Sequence, residues 1–298
     1  MASEALETVV GMLRSANIAQ GTSIEEMRDG MEAGSAATPV PADVAFTAVD
    51  AGGVPAEWND APGARPDRVL VYYHGGGYCM GSLDTHRAHT ARISRLARLR
   101  VLSVDYRLAP EHPYPAAVED AVAAYRFVLD QGFAPERIAL GGDSAGGGLT
   151  LAALLAIRDA GLPLPACGVG ISAWTDLTAS GDSITSKADV DPMLGDISGL
   201  ELMADAYVGT GGDGKAPLAS PVFADLAGLP PLLLQVGSAE VLLDDSTRVA
   251  EHARSAGVDV TLKVWEDMFH VWHAFADMLP EGMQATQELA DFLDARLS

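Results

Sequence analysis

The 298-residue chain has little cysteine, little positive charge and no long apolar run. Its two cysteines, Cys79 and Cys167, stand far apart and in no metal-ligating spacing, which argues against a disulfide framework. Nineteen basic residues face 41 acidic ones, a formal charge of −22. Such a surface repels phosphate backbones and anionic lipid headgroups, so nucleic acid is not an expected partner. No apolar run approaches the roughly 20 residues of a membrane-spanning helix. The N-terminus, MASEALETVVGMLRSANIAQ, lacks the basic start and apolar block of a secretion signal. A cytoplasmic, reduced setting is the expectation.

What is present is the composition of a folded globular chain, 48% hydrophobic and 20% charged. Two short helices are expected to open it, one from the spacing of Val9, Leu13 and Ala16 and one from the start signal Thr22-Ser23-Ile24-Glu25-Glu26. After a small-residue stretch, a strand is expected over Val44–Val49, ending at Gly52-Gly53. Apolar strand-like runs come next at Val69–Tyr73, Val101–Val104, Ile138–Leu140, Val169–Ile171, Leu232–Val236 and Val260–Val264. Helical segments alternate with them at Asp84–Leu99, Pro115–Leu129, Ala145–Ala160, Asp244–Ser255 and His270–Leu297. That alternation predicts an α/β fold with a mostly parallel sheet covered by helices. The core is expected over residues 44–179 and 222–298. Residues 180–221 break the rhythm, with one helix expected at Ile197–Tyr207, and such an insertion falls over the carboxyl ends of the strands, where ligands bind. With residues 1–43 it is expected to act as a lid.

Between Ala139 and Thr150 the chain reads ALGGDSAGGGLT, which sets Ser144 on the turn from a strand to a helix, framed as Gly142-Asp143-Ser144-Ala145-Gly146. A sharp strand-to-helix turn crowds its neighbours, so glycine at the framing positions leaves the serine oxygen clear. The phosphate-loop alternative requires a lysine after the last glycine, and the first lysine of the chain is Lys187. No G-x-G-x-x-G dinucleotide fingerprint follows this strand either. His74-Gly75-Gly76-Gly77, directly after the strand Val69–Tyr73, is the second signal. Its backbone can aim N–H groups at one point, each typically worth about 3 kcal/mol to a developing oxyanion. Gly76, Gly77 and Ala145 are assigned that role, and His74 a structural one.

A serine hydroxyl needs a base, and the base needs a carboxylate. Of seven histidines, only His270 and His273 follow the last expected strand. His270 falls on the loop and is the candidate base; His273 reads as a helix-surface or lid contact. Glu240, just past Leu232–Val236, is the candidate acid. Asp244 or Asp245 reads as a cap of the next helix, with Asp244 kept as a rival acid. His86-x-x-His89 reads as a solvated helix face, since no further ligands lie near it in sequence and no metal site is expected.

Together HGGG at His74–Gly77, DYRLAPEHPYP at Asp105–Pro115 and GDSAG at Gly142–Gly146 resemble, in order, the motifs of the hormone-sensitive-lipase-like (bacterial family IV) carboxylesterases of the α/β-hydrolase superfamily. The resemblance runs over nearly the whole chain. Two departures are Glu240, where an aspartate usually opens the D-x-L-x-D pattern, and Tyr114, where phenylalanine is commoner. The resemblance implies a helical cap over the active site from residues 1–43 and 180–221, and it allows an edge-strand homodimer. The expected reaction is hydrolysis of a small, short-chain acyl ester on Ser144, without metal or organic cofactor. Tyr78, Trp174, Phe269 and Trp272 are the candidate substrate contacts. A lactone hydrolase using the same residues is one alternative. A non-catalytic receptor of this fold is another, although the related plant hormone receptors lack the histidine that stands here as His270.

Overall fold

The computed structural model describes residues 3–15, 21–209 and 211–297. Ala16 of the first helical pattern lies outside them, as do parts of the two segments expected to form the lid. Two helices come first, α1 (Glu4–Ser15) and α2 (Ile24–Ser35). The second is opened by Ser23, whose hydroxyl accepts from the Glu26 N–H at 3.2 Å while the Glu26 carboxylate accepts the Ser23 N–H at 2.8 Å. Strands β1 (Ala45–Asp50), β2 (Pro55–Asp60) and β3 (Arg65–Tyr73) come next, then α3 (Leu83–Ala97) and β4 (Leu99–Val104). The chain continues through α4 (Ala116–Asp130), β5 (Ile138–Asp143), α5 (Ala145–Asp159) and β6 (Cys167–Ile171). The insertion carries α6 (Ser183–Ser186) and α7 (Ser198–Val208), and β7 (Leu232–Gly237), α8 (Leu243–Ser255), β8 (Val260–Trp265) and α9 (Pro280–Arg296) complete the chain.

The eight strands form one sheet in the order β1-β2-β4-β3-β5-β6-β7-β8. β1 and β2 are antiparallel to their neighbours; every pairing from β4 to β8 is parallel. Side chains on a strand alternate between faces, and β3 shows the consequence. Val69, Val71 and Tyr73 join the core with Ala117 and Ala121 of α4, Leu151 of α5 and Val249 of α8. Leu70 and Tyr72 point the other way, to Ile93 of α3 and Leu289 and Leu293 of α9. The sheet is therefore covered on both faces, which is why its central strands read as continuous apolar runs.

β2 is an addition to the expected strands. Its sequence PAEWND has little strand propensity, and it holds its place through tertiary contacts. Glu57 is buried and accepts from Nε and Nη2 of Arg87 at 2.9 and 2.6 Å, and buried Asn59 accepts from the Ser103 hydroxyl. The expected final helix starts later than the pattern suggests, at Pro280, after a short 3-10 turn over Trp272–Phe275.

Candidate active site

Three loops at the carboxyl ends of parallel strands bring the sequence-assigned polar residues together. β5 ends at Asp143, and Ser144 follows with φ 53° and ψ −122°, the positive-φ position between strand and helix. Gly146 is required one residue into α5, because a Cβ there would run into the carbonyl oxygens of Tyr73, the last residue of the neighbouring β3, and of His74 after it. The turn is pinned at both ends: the Ser144 N–H donates to the Ile171 carbonyl and the Ser144 carbonyl accepts from the Trp174 N–H, each at 2.8 Å.

The loop after β8 carries His270, which is 4% exposed, with Nε2 2.9 Å from Ser144 Oγ. Its Nδ1 lies 2.8 Å from Glu240 Oε2, and Glu240 is fully buried. The other Glu240 oxygen, Oε1, accepts from the Gly237 N–H at 2.6 Å and from the Ser172 hydroxyl at 2.9 Å. Ser172 Oγ in turn accepts the Val271 N–H at 3.1 Å, so one hydroxyl braces the acid and the base loops together. No motif marks Ser172; its only sequence signal is a polar residue just past the end of a parallel strand, where ligand-facing groups collect. Burial would lower the His270 imidazole, but the hydrogen bond and charge of Glu240, with Asp191 and Asp143 behind them, raise it above its ordinary value. Neutral His270 with its proton on Nδ1 presents a free Nε2 lone pair to the serine hydroxyl.

Of the three backbone groups assigned to an anion, Ala145 directly follows Ser144, and Gly76 and Gly77 lie on the loop after β3, the strand paired with β5. Ala145 opens α5, so its N–H has no acceptor within the helix. Gly76 and Gly77 have φ of 114° and 61°, and a Cβ at Gly77 would strike Met203 Sδ. His74 is buried and stacks on Tyr106, its Nδ1 2.8 Å from the Gly75 carbonyl oxygen.

The structure departs from several sequence expectations. Asp244 does not reach His270: its Oδ2 accepts the Ser183 N–H at 2.9 Å, tying α6 to α8. Neither it nor Asp245 caps α8, since Asp245 Oδ2 accepts the Thr175 and Asp176 N–H groups at 2.6 and 2.8 Å. His273 is buried, not on a surface, and its Nε2 meets Gln235 Oε1 at 3.0 Å. His86 and His89 are buried rather than solvated, because α3 turns that face onto the sheet. Tyr78, Trp174, Phe269 and Trp272 are all at most 2% exposed. Tyr78 stacks on Tyr207 with ring centroids 3.8 Å apart, and Phe269 and Trp272 pack with Leu6 and Val9 of α1. Apolar bulk drives all four into the interior. None of them lines the cavity of about 590 Å³ walled by residues such as Met27, Met80, Leu194, Leu200 and Met203, and neither do Ser144, Glu240 and His270; the cavity meets the glycine loop through Met80, packed on Gly76, and Met203, packed on Gly77. Asp191, also on that wall, was unmarked in the sequence and accepts the Val241 N–H at 2.9 Å, next to Glu240. Among the described residues no group of three or more His, Cys, Asp or Glu is placed to hold a metal ion, and no helix is long and apolar enough to cross a membrane.

A mostly parallel eight-stranded sheet with a serine on a strand-to-helix elbow defines an α/β hydrolase. The family model Abhydrolase_3, described as alpha/beta hydrolase fold, matches residues 70–274. An acetyl-hydrolase of Streptomyces hygroscopicus is 49% identical over 253 residues, 85% of this chain and 82% of that protein. The crystal structure of an esterase from the bacterial hormone-sensitive lipase family superposes with a TM-score of 0.97 at 49% identity over 100% of both chains. That of EstE5, soaked with p-nitrophenyl butyrate, gives a TM-score of 0.95 at 48% identity over 99% of both chains. The chain belongs to the hormone-sensitive-lipase-like family IV esterases, and it is a carboxylic ester hydrolase.

Proposed function

We propose that the chain hydrolyses small, short-chain acyl esters through an acyl-enzyme on Ser144, with His270 as general base and acid and Glu240 as the orienting carboxylate. The observation that carries this reading is the unbroken hydrogen-bond line from Glu240 through His270 to Ser144. His270 Nε2 takes the Ser144 proton as Oγ adds to the ester carbonyl carbon, and the carbonyl oxygen becomes an oxyanion held by the N–H groups of Gly76, Gly77 and Ala145. Collapse breaks the bond to the alcohol, which leaves with the proton from His270. Water, deprotonated by the same imidazole, then adds to the acyl carbon, and Ser144 departs reprotonated. Glu240 keeps the His270 proton on Nδ1 throughout and offsets the imidazolium charge.

Residues 1–43 and 180–221 act in this reading as the cap. Met27 from the first segment and Leu194, Leu200 and Met203 from the second share one cavity wall. Unbranched, polarisable methionine side chains suit a flexible acyl chain. The butyrate ester soaked into EstE5 belongs to the same size class. The test is hydrolysis of p-nitrophenyl acetate and butyrate by the native chain and Ser144→Ala, with mass spectrometry after phosphonate labelling. Activity lost in the variant and a phosphonyl adduct on Ser144 are expected; an adduct elsewhere, or undiminished activity in Ser144→Ala, refutes the assignment. A lactone series run beside the esters separates ring opening from open-chain hydrolysis.

A further inference from the structure

The carboxylate of Asp143, the residue immediately before the nucleophile, is not used by the reaction as drawn, yet it is 3% exposed and surrounded by donors. Its Oδ1 accepts the Tyr72 hydroxyl at 2.7 Å and the Gly75 N–H at 3.2 Å, a donor shared with His86 Nε2 at 3.3 Å, and its Oδ2 lies 3.4 Å from His86 Nε2. Gly75 immediately precedes Gly76 and Gly77. One side chain thus joins the serine elbow to the loop whose next two N–H groups are the ones assigned to the oxyanion.

We propose that Asp143 is a positioning residue that sets the separation between Ser144 and the oxyanion-hole loop through its hydrogen bond to the Gly75 N–H and its close packing on Gly75 Cα. The inference rests on the triad and oxyanion assignment above. The packing is close enough that a Cβ on Gly75 would collide with Asp143 Oδ2. Gly75 has no positive φ, so its lack of a side chain answers to this carboxylate and not to backbone conformation. Burial would raise the Asp143 carboxyl, but its contacts with His86 and the Tyr72 hydroxyl hold it below the ordinary carboxylate range. It therefore stays an acceptor. Tyr72, pushed well above its ordinary value by burial and then by the Asp143 charge, stays a donor. His86 is itself oriented by Thr85 Oγ1, 2.8 Å from Nδ1. The arrangement is held from β3, α3 and β5 at once, so the carboxylate cannot drift with the loop it holds.

An oxyanion donor moved off its target costs about 10²-fold or more in kcat, and a group that acts only on the transition state changes kcat more than KM. Four variants, Asp143→Asn, Asp143→Ala, Gly75→Ala and Gly75→Ala/Asp143→Ala, test this with p-nitrophenyl acetate, a boronic acid that forms a tetrahedral adduct on serine, and thermal melting. Asp143→Ala is expected to lower kcat by about 10²-fold and Asp143→Asn, which keeps one acceptor for Gly75, by about tenfold, each with little change in KM. Boronic acid affinity should weaken in step. Gly75→Ala alone should be severely impaired, and the double variant no worse than Asp143→Ala, because the added methyl fills the space the carboxylate left. Should Asp143→Ala fail to fold, Asp143→Asn and Tyr72→Phe decide. Near-native kcat in the folded Asp143 variants, a loss confined to KM, or unchanged boronic acid affinity overturns the inference. Activity abolished by Ser144→Ala but indifferent to Asp143 ends this inference alone, whereas activity surviving Ser144→Ala ends the triad assignment beneath it.

Discussion

Replacing Glu240 by glutamine changes one atom and almost no volume, and the surrounding hydrogen bonds dictate the consequence. The carboxylate has two oxygens with fixed partners: Oε1 takes the Gly237 N–H at 2.6 Å and the Ser172 hydroxyl, and Oε2 faces His270 Nδ1 at 2.8 Å. The Gly237 N–H is a backbone donor and cannot invert. If the glutamine oxygen stays on Gly237, its NH₂ points at His270 Nδ1 and forces the imidazole proton to Nε2, facing Ser144, where the base should be vacant. If the amide flips, an N–H donor meets the Gly237 N–H, and a buried unsatisfied donor costs about 1–3 kcal/mol. The productive tautomer is thereby cut to a population of roughly one-tenth to one-hundredth, since 1.4 kcal/mol is about a factor of ten. Loss of the charge that stabilises the imidazolium adds to this. The same aspartate-to-asparagine change in serine proteases costs about 10⁴ in kcat. For Glu240→Gln, kcat on p-nitrophenyl acetate is expected to fall about 10³–10⁴-fold with KM little changed. A loss below tenfold in a variant that melts at the native temperature refutes the tautomer reasoning.

Three further outcomes are expected. His270 must be neutral to act as base, and its folded-state value is raised by the Glu240 hydrogen bond and charge against the lowering effect of burial. The acid limb of kcat/KM should therefore have its midpoint above the ordinary histidine value of about 6.5, with activity falling as pH drops through it; a midpoint below that value contradicts the assignment of His270. Met203 closes over Gly77 and lines the cavity. Met203→Ala should shift preference toward longer acyl chains by up to about fourfold per added methylene, as about 0.8 kcal/mol per buried CH₂ allows, and an unchanged acetate-to-hexanoate ratio counts against the cavity as the acyl site. Arg28 of α2 reaches the Cys79 and Ala109 carbonyls and both Glu111 oxygens, and its hydrogen bonds bring Glu111 down to about 2. Because Glu111 is half exposed, the pair is worth at most about 1 kcal/mol and is screened by salt. Arg28→Ala should raise KM by up to about fivefold with a small loss of melting temperature, and a fall in kcat alone would place the effect elsewhere.

The polar residues that meet at Ser144 were legible because each follows an apolar strand run, and strand ends of a parallel sheet share one rim. Ser144, Glu240 and His270 each sit on the turn or loop just beyond such a run. Distinguishing Glu240 from Asp244 required three dimensions, because only the backbone path after Gly237 decides which carboxylate turns toward His270. β2 was illegible since its stability comes from the Glu57–Arg87 pair and the Asn59–Ser103 contact, not from local propensity. His86, His89 and His273 read as polar and exposed, yet all three are buried, as is His74. His74 and His89 are driven down to about 3 chiefly by burial, and in the interior they behave as neutral aromatic rings. The four aromatic candidates are buried for the complementary reason: bulk suits a core as well as a pocket, and sequence spacing does not separate the two.

The conformation of Ser144 carries a lasting cost. A non-glycine residue at φ 53° and ψ −122° stores strain of order 1–3 kcal/mol, and its amide and carbonyl are both bonded to the 171–174 segment, so the turn has no slack through which to relax. Selection for ester cleavage and selection for heat resistance therefore oppose each other at this residue. Ser144→Gly trades the proposed nucleophile for a residue suited to that backbone, and it should yield an inert protein that melts no lower than the native one.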